Sequence, residues 1–158
     1  MANVKVHAQG GQFGGAARYG NLTTLRYDLI TSAAGVVAAS NAAAALAIDD
    51  VVRFEYPLPA GLVVEDLQIV ISDNFGADVT ADVGFVYADG EDDASYPQDA
   101  AAFGTGLLLS AAARLRTAST KKLAALPKDA YLTVTIKGAA VAEAGVAQFV
   151  VHGERLGA

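Results

Sequence analysis

From Thr24 onward, apolar side chains recur at every second position in short runs, and no run sustains the period of a long helix. Neighbouring side chains of an extended strand point to opposite faces, so this alternation prescribes half-buried β-strands. Leu25, Tyr27 and Leu29 alternate with Thr24, Arg26 and Asp28. Val51–Tyr56 is strand-like, and the Pro57–Gly61 turn is expected to stop it, because proline lacks the donor a ladder needs. Leu62–Ser72 places Leu67, Ile69 and Ile71 on one face; Val79, Ala81, Val83, Phe85 and Tyr87 share a face of the next strand. Ala130–Lys137 is the cleanest alternation in the chain, and Val146–Arg155 is the last strand. Shorter strands are expected at Leu107–Leu109 and Ala113–Ala118.

The connecting stretches carry turn chemistry. Asp73–Gly76 is a turn signal, Lys121–Lys128 reads as a loop closed by Pro127, and acidic Ala88–Ala102 reads as a long loop with one helical turn after Pro97. Ser40-Asn41 followed by Ala42–Ile48 has two readings, a short capped helix or a slack loop. About eight short strands without a long helix indicate an all-β antiparallel sandwich or barrel. At 158 residues the chain has room for one such domain. The alanine clusters at Ala42–Ala45, Ala100–Ala102 and Ala111–Ala113 lie between unlike neighbours, so they are compositional and not a structural repeat.

Ahead of the first long strand lies a glycine-rich stretch, Gln9–Asn21, whose backbone freedom makes it costly to order alone. Residues 1–21 therefore read as an extended arm and residues 22–158 as a single sandwich domain. Phe13, Arg18 and Tyr19 are residue types enriched at interfaces, and Gly10, Gly11, Gly14 and Gly15 would let backbone lie flat against a neighbour. These seven residues are candidate subunit or partner contacts. Arg114 and Arg116 join them, because strand alternation projects both from one face of an otherwise acidic chain. With Lys121 and Lys122 they form either a solvated face or an ion-pairing patch for an acidic partner surface.

Composition removes several functional classes. Hydrophobic residues make up 53% and charged ones 18%, enough apolar surface to fold. About one residue in five is alanine, well above ordinary usage, so few large side chains build the core. Contacts between subunits are expected to supply part of the stability, in a homo-oligomer, most simply a trimer. A net charge of -6 repels nucleic acid and anionic lipid. No cysteine is present, hence no disulfide, thiolate nucleophile or cysteine-based zinc site. No segment approaches the roughly 20 apolar residues of a membrane span, and Met1–Gly20 lacks a signal-peptide pattern; the expectation is a soluble protein without a leader.

Catalysis needs a base, a nucleophile or a metal within mutual reach. The chain offers only His7, in the arm, and His152, flanked by Val150, Val151 and Gly153 as a sheet-surface histidine would be. No catalytic residue, cofactor or metal is assigned. Asp89–Asp93 suggests calcium by its acidity, but lacks the alternate-position acids and closing glutamate of an EF-hand, and reads as a solvated charge cluster. Asp49-Asp50 and Glu65-Asp66 read as strand-end charges. Gly104-Thr105-Gly106 lacks the third glycine and following helix of a dinucleotide fingerprint.

Several motifs together resemble a known family. In order, the apolar strand from Ala47 is followed by Leu58-Pro59-Ala60-Gly61, a Val-rich strand ending at Asp73, Val83-Gly84-Phe85 and the Asp89-Gly90 turn. Leu126–Ala139 and Gly145–Gly153 then form a closing hairpin. Over roughly Ala47–Gly153 this is similar to small jelly-roll head decoration, or cement, proteins of tailed bacteriophages. The resemblance implies a jelly-roll sandwich, no enzymatic activity, the major capsid protein as partner, trimeric assembly and a place on the outer surface of the virion. The competing readings are a jelly-roll binding module of a phage fibre or a carbohydrate-binding protein, and a metal-dependent enzyme using the Asp89–Asp93 loop. With no Trp and 6 Tyr spread along the chain, the aromatic platform of a glycan site is hard to assemble.

Overall fold

The computed structural model describes residues 1–6, 22–117 and 119–156. Nine strands and no helix occur among them: β1 (Asn3–Val6), β2 (Leu22–Thr31), β3 (Val51–Leu58), β4 (Leu62–Asp73), β5 (Thr80–Tyr87), β6 (Asp99–Leu108), β7 (Ala113–Arg116), β8 (Ala130–Lys137) and β9 (Gly145–Arg155). They form a five-stranded sheet in the order β1-β3-β8-β5-β6 and a four-stranded sheet in the order β2-β9-β4-β7. Strands β2 to β9 pair as one long hairpin folded on itself: β2 with β9, β3 with β8, β4 with β7 and β5 with β6, all antiparallel. Rolling that hairpin into two facing sheets gives the jelly-roll sandwich expected from the sequence.

Alternation sets what lies between the sheets. Leu25, Tyr27 and Leu29 of β2, Leu67, Ile69 and Ile71 of β4, and Val83, Phe85 and Tyr87 of β5 are all buried, as their spacing required. Two aromatic clusters lie within this core. Phe54 joins Tyr27 and Phe149 at ring distances of 5.3 and 5.7 Å. Phe85 contacts Tyr87, Tyr96 and Phe103 at 5.5, 5.7 and 5.9 Å. Aromatic pairs of this kind contribute roughly 0.5–1.5 kcal/mol each beyond the area they bury.

Four expectations are corrected. The first is the start of the segment read as an arm: Asn3–Val6 is a strand, parallel to β3, with Val4 and Val6 buried. Asp50 fixes it there, its buried carboxylate accepting the Ala2 N–H at 2.6 Å and the Ala47 N–H at 2.9 Å. Second, β3 does not stop at Tyr56 but continues through Pro57 to Leu58. A register shift between Arg53 and Pro57 opens the ladder where proline has no N–H to give. Third, Ala88–Ala102 is not wholly loop, and no helical turn follows Pro97; β6 begins at Asp99. Its ladder is irregular, with Phe85 opposite Asp99 but Val83 opposite Gly104, and a strand with bulges of that size cannot show a clean period of two. Leu107 and Leu108 are the end of that same strand, and Leu109 follows it. Fourth, β7 ends at Arg116 instead of Ala118.

Of the two readings of Ala42–Ile48, the loop holds. It is not slack: Leu46 is fully buried, its N–H donates to the Gly35 carbonyl and its own carbonyl accepts from Val141. Backbone groups committed to such partners are not free to close helical turns.

Candidate functional site

The candidate contact residues divide into those the structure places and those it does not. Gly10, Gly11, Phe13, Gly14, Gly15, Arg18 and Tyr19, and His7 with them, lie outside the described residues. Arg114 and Arg116 lie on β7, an edge strand of the four-stranded sheet, opposite Val70 and Gln68 of β4. Both are exposed, as alternation predicted.

They differ in what they meet. The Arg116 guanidinium pairs with Asp66 at 2.7 Å, and its Nε–H donates to the same carboxylate oxygen at 2.9 Å. That hydrogen bond is the main reason the Asp66 carboxyl is held below its usual range. Arg114 forms no ion pair among the described residues. Lys121 and Lys122 approach the same region, where they and Asp66 line a pocket of about 60 Å³. Lys121 is engaged: it pairs with Asp99 at 3.2 Å, donates to the Pro97 carbonyl at 3.0 Å and lies over the rings of Phe85 and Tyr96. The sequence's basic group therefore resolves into two internal pairs, Arg116 with Asp66 and Lys121 with Asp99, and two exposed cations, Arg114 on the sheet edge and Lys122, without an ion-pair partner among the described residues.

His152 lies on the outer face of the four-stranded sheet, across from Thr24 on one side and Asp66 on the other. Its Nδ1 is 3.2 Å from the Thr24 hydroxyl. This is the sheet-surface histidine anticipated from its flanking residues.

The acidic loop is organised by its own amides and one lysine. Asp89 pairs with Lys128 at 2.8 Å and accepts the Glu91 N–H; Asp92 accepts from Asp93 and Gln98; Asp93 accepts the Ser95 N–H and hydroxyl. These bonds hold the Asp89 and Asp93 carboxyls low. No group of three or more metal-ligating side chains occurs among the described residues. Beneath the loop, the Tyr87 hydroxyl donates to the Tyr96 carbonyl, and burial together with Asp93 and Asp92 pushes its pKa up to about 12.

The remaining acidic and glycine motifs are structural. Asp49 pairs with Lys137 at 2.5 Å. Gly104-Thr105-Gly106 belongs to β6, where the Thr105 hydroxyl and the Gly106 N–H both donate to Asp82 at 2.8 Å.

The outer face of the five-stranded sheet holds a groove of about 450 Å³. Asn3, Lys5, Arg53 and Thr133 supply its polar lining, and Val51, Val86 and Ala100 its apolar lining. It spans β1, β3, β8, β5 and β6, so only the folded sheet order brings these residues together.

No family model matches the chain, and no curated protein matches it. Two solved structures share its fold. A chain from the capsid of Ralstonia phage GP4 aligns at a TM-score of 0.66 and 15% identity, covering 99% of this chain and 100% of that one. A chain from the capsid asymmetric unit of cyanophage Pam1 aligns at a TM-score of 0.59 and 15% identity, covering 94% of this chain and 91% of that one. At such identity the likeness is one of fold.

Proposed function

We propose that the protein is a non-enzymatic virion structural protein that binds the outer surface of a bacteriophage capsid and stabilises it, acting as a homotrimer on the major capsid protein. The observation that carries this reading is the end-to-end correspondence of fold with a chain from the capsid of Ralstonia phage GP4. The composition fits the task. A capsid-bound cement adds buried area across joints between subunits and carries out no chemistry, so it needs a rigid β-scaffold and extensions that reach neighbours. The glycine-rich stretch bearing Phe13, Arg18 and Tyr19 is proposed as the reaching element, and Arg114 as an open cation for an acidic capsid surface.

Glycan binding finds less support. Tyr27 and Tyr87 are buried in the core, Tyr56 and Tyr96 pack against it, and Tyr131 lies beneath Arg53 at 4.8 Å. None of the five forms the exposed aromatic shelf on which a sugar ring stacks.

The direct test adds purified protein to mature capsids of the virus that carries the gene, after stripping their native complement of it. Electron microscopy is expected to show added density at positions on the outer shell where three subunits meet. Protein that remains unbound, or that localises to tails or fibres, would overturn the reading.

A further inference from the structure

We infer that the groove on the outer face of the five-stranded sheet is a binding site for an aliphatic carboxylate. Its volume, about 450 Å³, falls within the ordinary range for ligand sites, roughly 300–1,000 Å³. Its charge runs against that of the whole molecule. The chain carries a net -6, yet among the described residues the groove is lined by two cations, Lys5 and Arg53, and by no carboxylate. Arg53 is partly engaged, with Glu55 at 2.8 Å beside it and the Tyr131 ring beneath it. Lys5 has no ion-pair partner among the described residues.

Thr133 supplies the independent observation. It lines the groove, is only 1% exposed, and its hydroxyl has no hydrogen-bond partner among the described residues. A hydroxyl taken from water and left unpaired costs free energy, and valine has the same shape without that cost. A threonine that carries the cost has a use for its donor. The chemistry of the lining defines what would take it: a carboxylate accepts from the Thr133 hydroxyl, the Lys5 ammonium and the Arg53 guanidinium, while its methylene stem rests on Val51, Val86 and Ala100. A free small acid and a glutamate side chain on a protein segment share that chemistry.

Two probes separate these sources: glutarate, and the capped tripeptide acetyl-Ala-Glu-Ala-amide, each titrated into the full-length protein and followed by amide NMR shifts. Saturable shifts are expected at Lys5, Arg53, Val86 and Thr133, with glutaramide inert. Tighter binding of the tripeptide identifies a protein segment as the source, and tighter binding of glutarate a free acid. Lys5→Gln should weaken the better probe about tenfold and Thr133→Val about fivefold, while Thr133→Val leaves the melting temperature unchanged or raised. The inference is overturned if neither probe saturates, if glutaramide binds equally well, or if both variants bind as the parent does. A lower melting temperature for Thr133→Val would also overturn it, since the hydroxyl would then serve an internal partner. The groove's chemistry does not depend on whether the chain sits on a capsid.

Discussion

Gly84 lies mid-strand in β5, opposite Thr133 of β8, and the space its side chain would occupy is taken by the start of β6. A Cβ at this position would fall 2.0 Å from the Asp99 carbonyl oxygen and 2.4 Å from the Ala100 carbonyl carbon. Two effects oppose one another in Gly84→Ala. Alanine restricts the unfolded chain and ordinarily favours a strand interior by about 0.5–1 kcal/mol. Against this, overpacking costs roughly 1–3 kcal/mol, and the upper end applies when the obstructing atoms are backbone that cannot rotate away. This backbone is also tethered: the Ala101 N–H donates to the Asp99 carboxylate at 2.8 Å, and Lys121 pairs with that carboxylate at 3.2 Å.

The clash therefore wins, with a net loss of about 2 kcal/mol. For a chain of this length that lowers the melting temperature by about 4–8 °C. Urea unfolding followed by circular dichroism, alongside calorimetry, measures both quantities. Gly90→Ala is the comparison, since nothing lies within 4 Å of its Cβ and only its φ of 76° opposes a side chain; it should lose about 1 kcal/mol. If Gly84→Ala proves as stable as the parent, β6 does not cross over Gly84, and the strand beginning at Asp99 is misplaced.

Two further outcomes are expected. The folded-state pKa of Tyr87 lies near 12, above the ordinary tyrosine value of 10.0, so the stability linked to it is intact below pH 10 and is lost as pH rises towards 12. Tyrosinate absorbance should therefore rise together with unfolding in that window, and Tyr87→Phe should flatten the decline; an unchanged alkaline profile would show that burial and the acidic loop do not hold the hydroxyl neutral. In the glycine-rich stretch, the combined change Phe13→Ala, Arg18→Ala and Tyr19→Ala should leave the melting temperature of the free protein unaltered. Capsid binding, measured by co-sedimentation, should fall at least about tenfold, equivalent to about 1.4 kcal/mol; undiminished binding would remove the stretch from the proposed contact.

What the sequence made legible was whatever a single strand states about itself. Val79 to Tyr87 and Ala130 to Lys137 alternate cleanly because each faces the core on one side only and pairs in regular register along β5–β8. Where pairing is irregular, the signal fails. Asp99 to Ala102 reads as loop because its bulged ladder breaks the period, and small residues there leave no apolar face to count. Asn3 to Val6 carried the right pattern, Val4 and Val6 against Asn3 and Lys5, but at four residues it was too short to stand apart from the glycine-rich stretch beside it. Arg114 and Arg116 were placed on one face correctly, yet their different surroundings depend on Asp66, brought near by the β4–β7 pairing and invisible from spacing. The groove is the extreme case. Lys5, Arg53, Val86, Ala100 and Thr133 come from five strands, and no local pattern joins them.

The same non-local order bears on the task proposed for the protein. In the four-stranded sheet, β9 lies between β2 and β4, paired with β2 over ten residues and with β4 along almost its whole length. The last strand is thus held on both sides, by the first strand of the rolled hairpin and by β4, and it cannot leave without opening the sheet at its centre. Nested pairings of this kind fold slowly, because distant segments must meet before any ladder forms. They resist piecemeal opening for the same reason, since no outer pair can be removed while the inner ones stay dry. For a protein whose proposed role is to remain on a shell under internal pressure, the relevant quantity is the rate of unfolding more than the equilibrium. A scaffold closed by its own first and last long strands slows that rate, adding a kinetic barrier to the stability of its buried core.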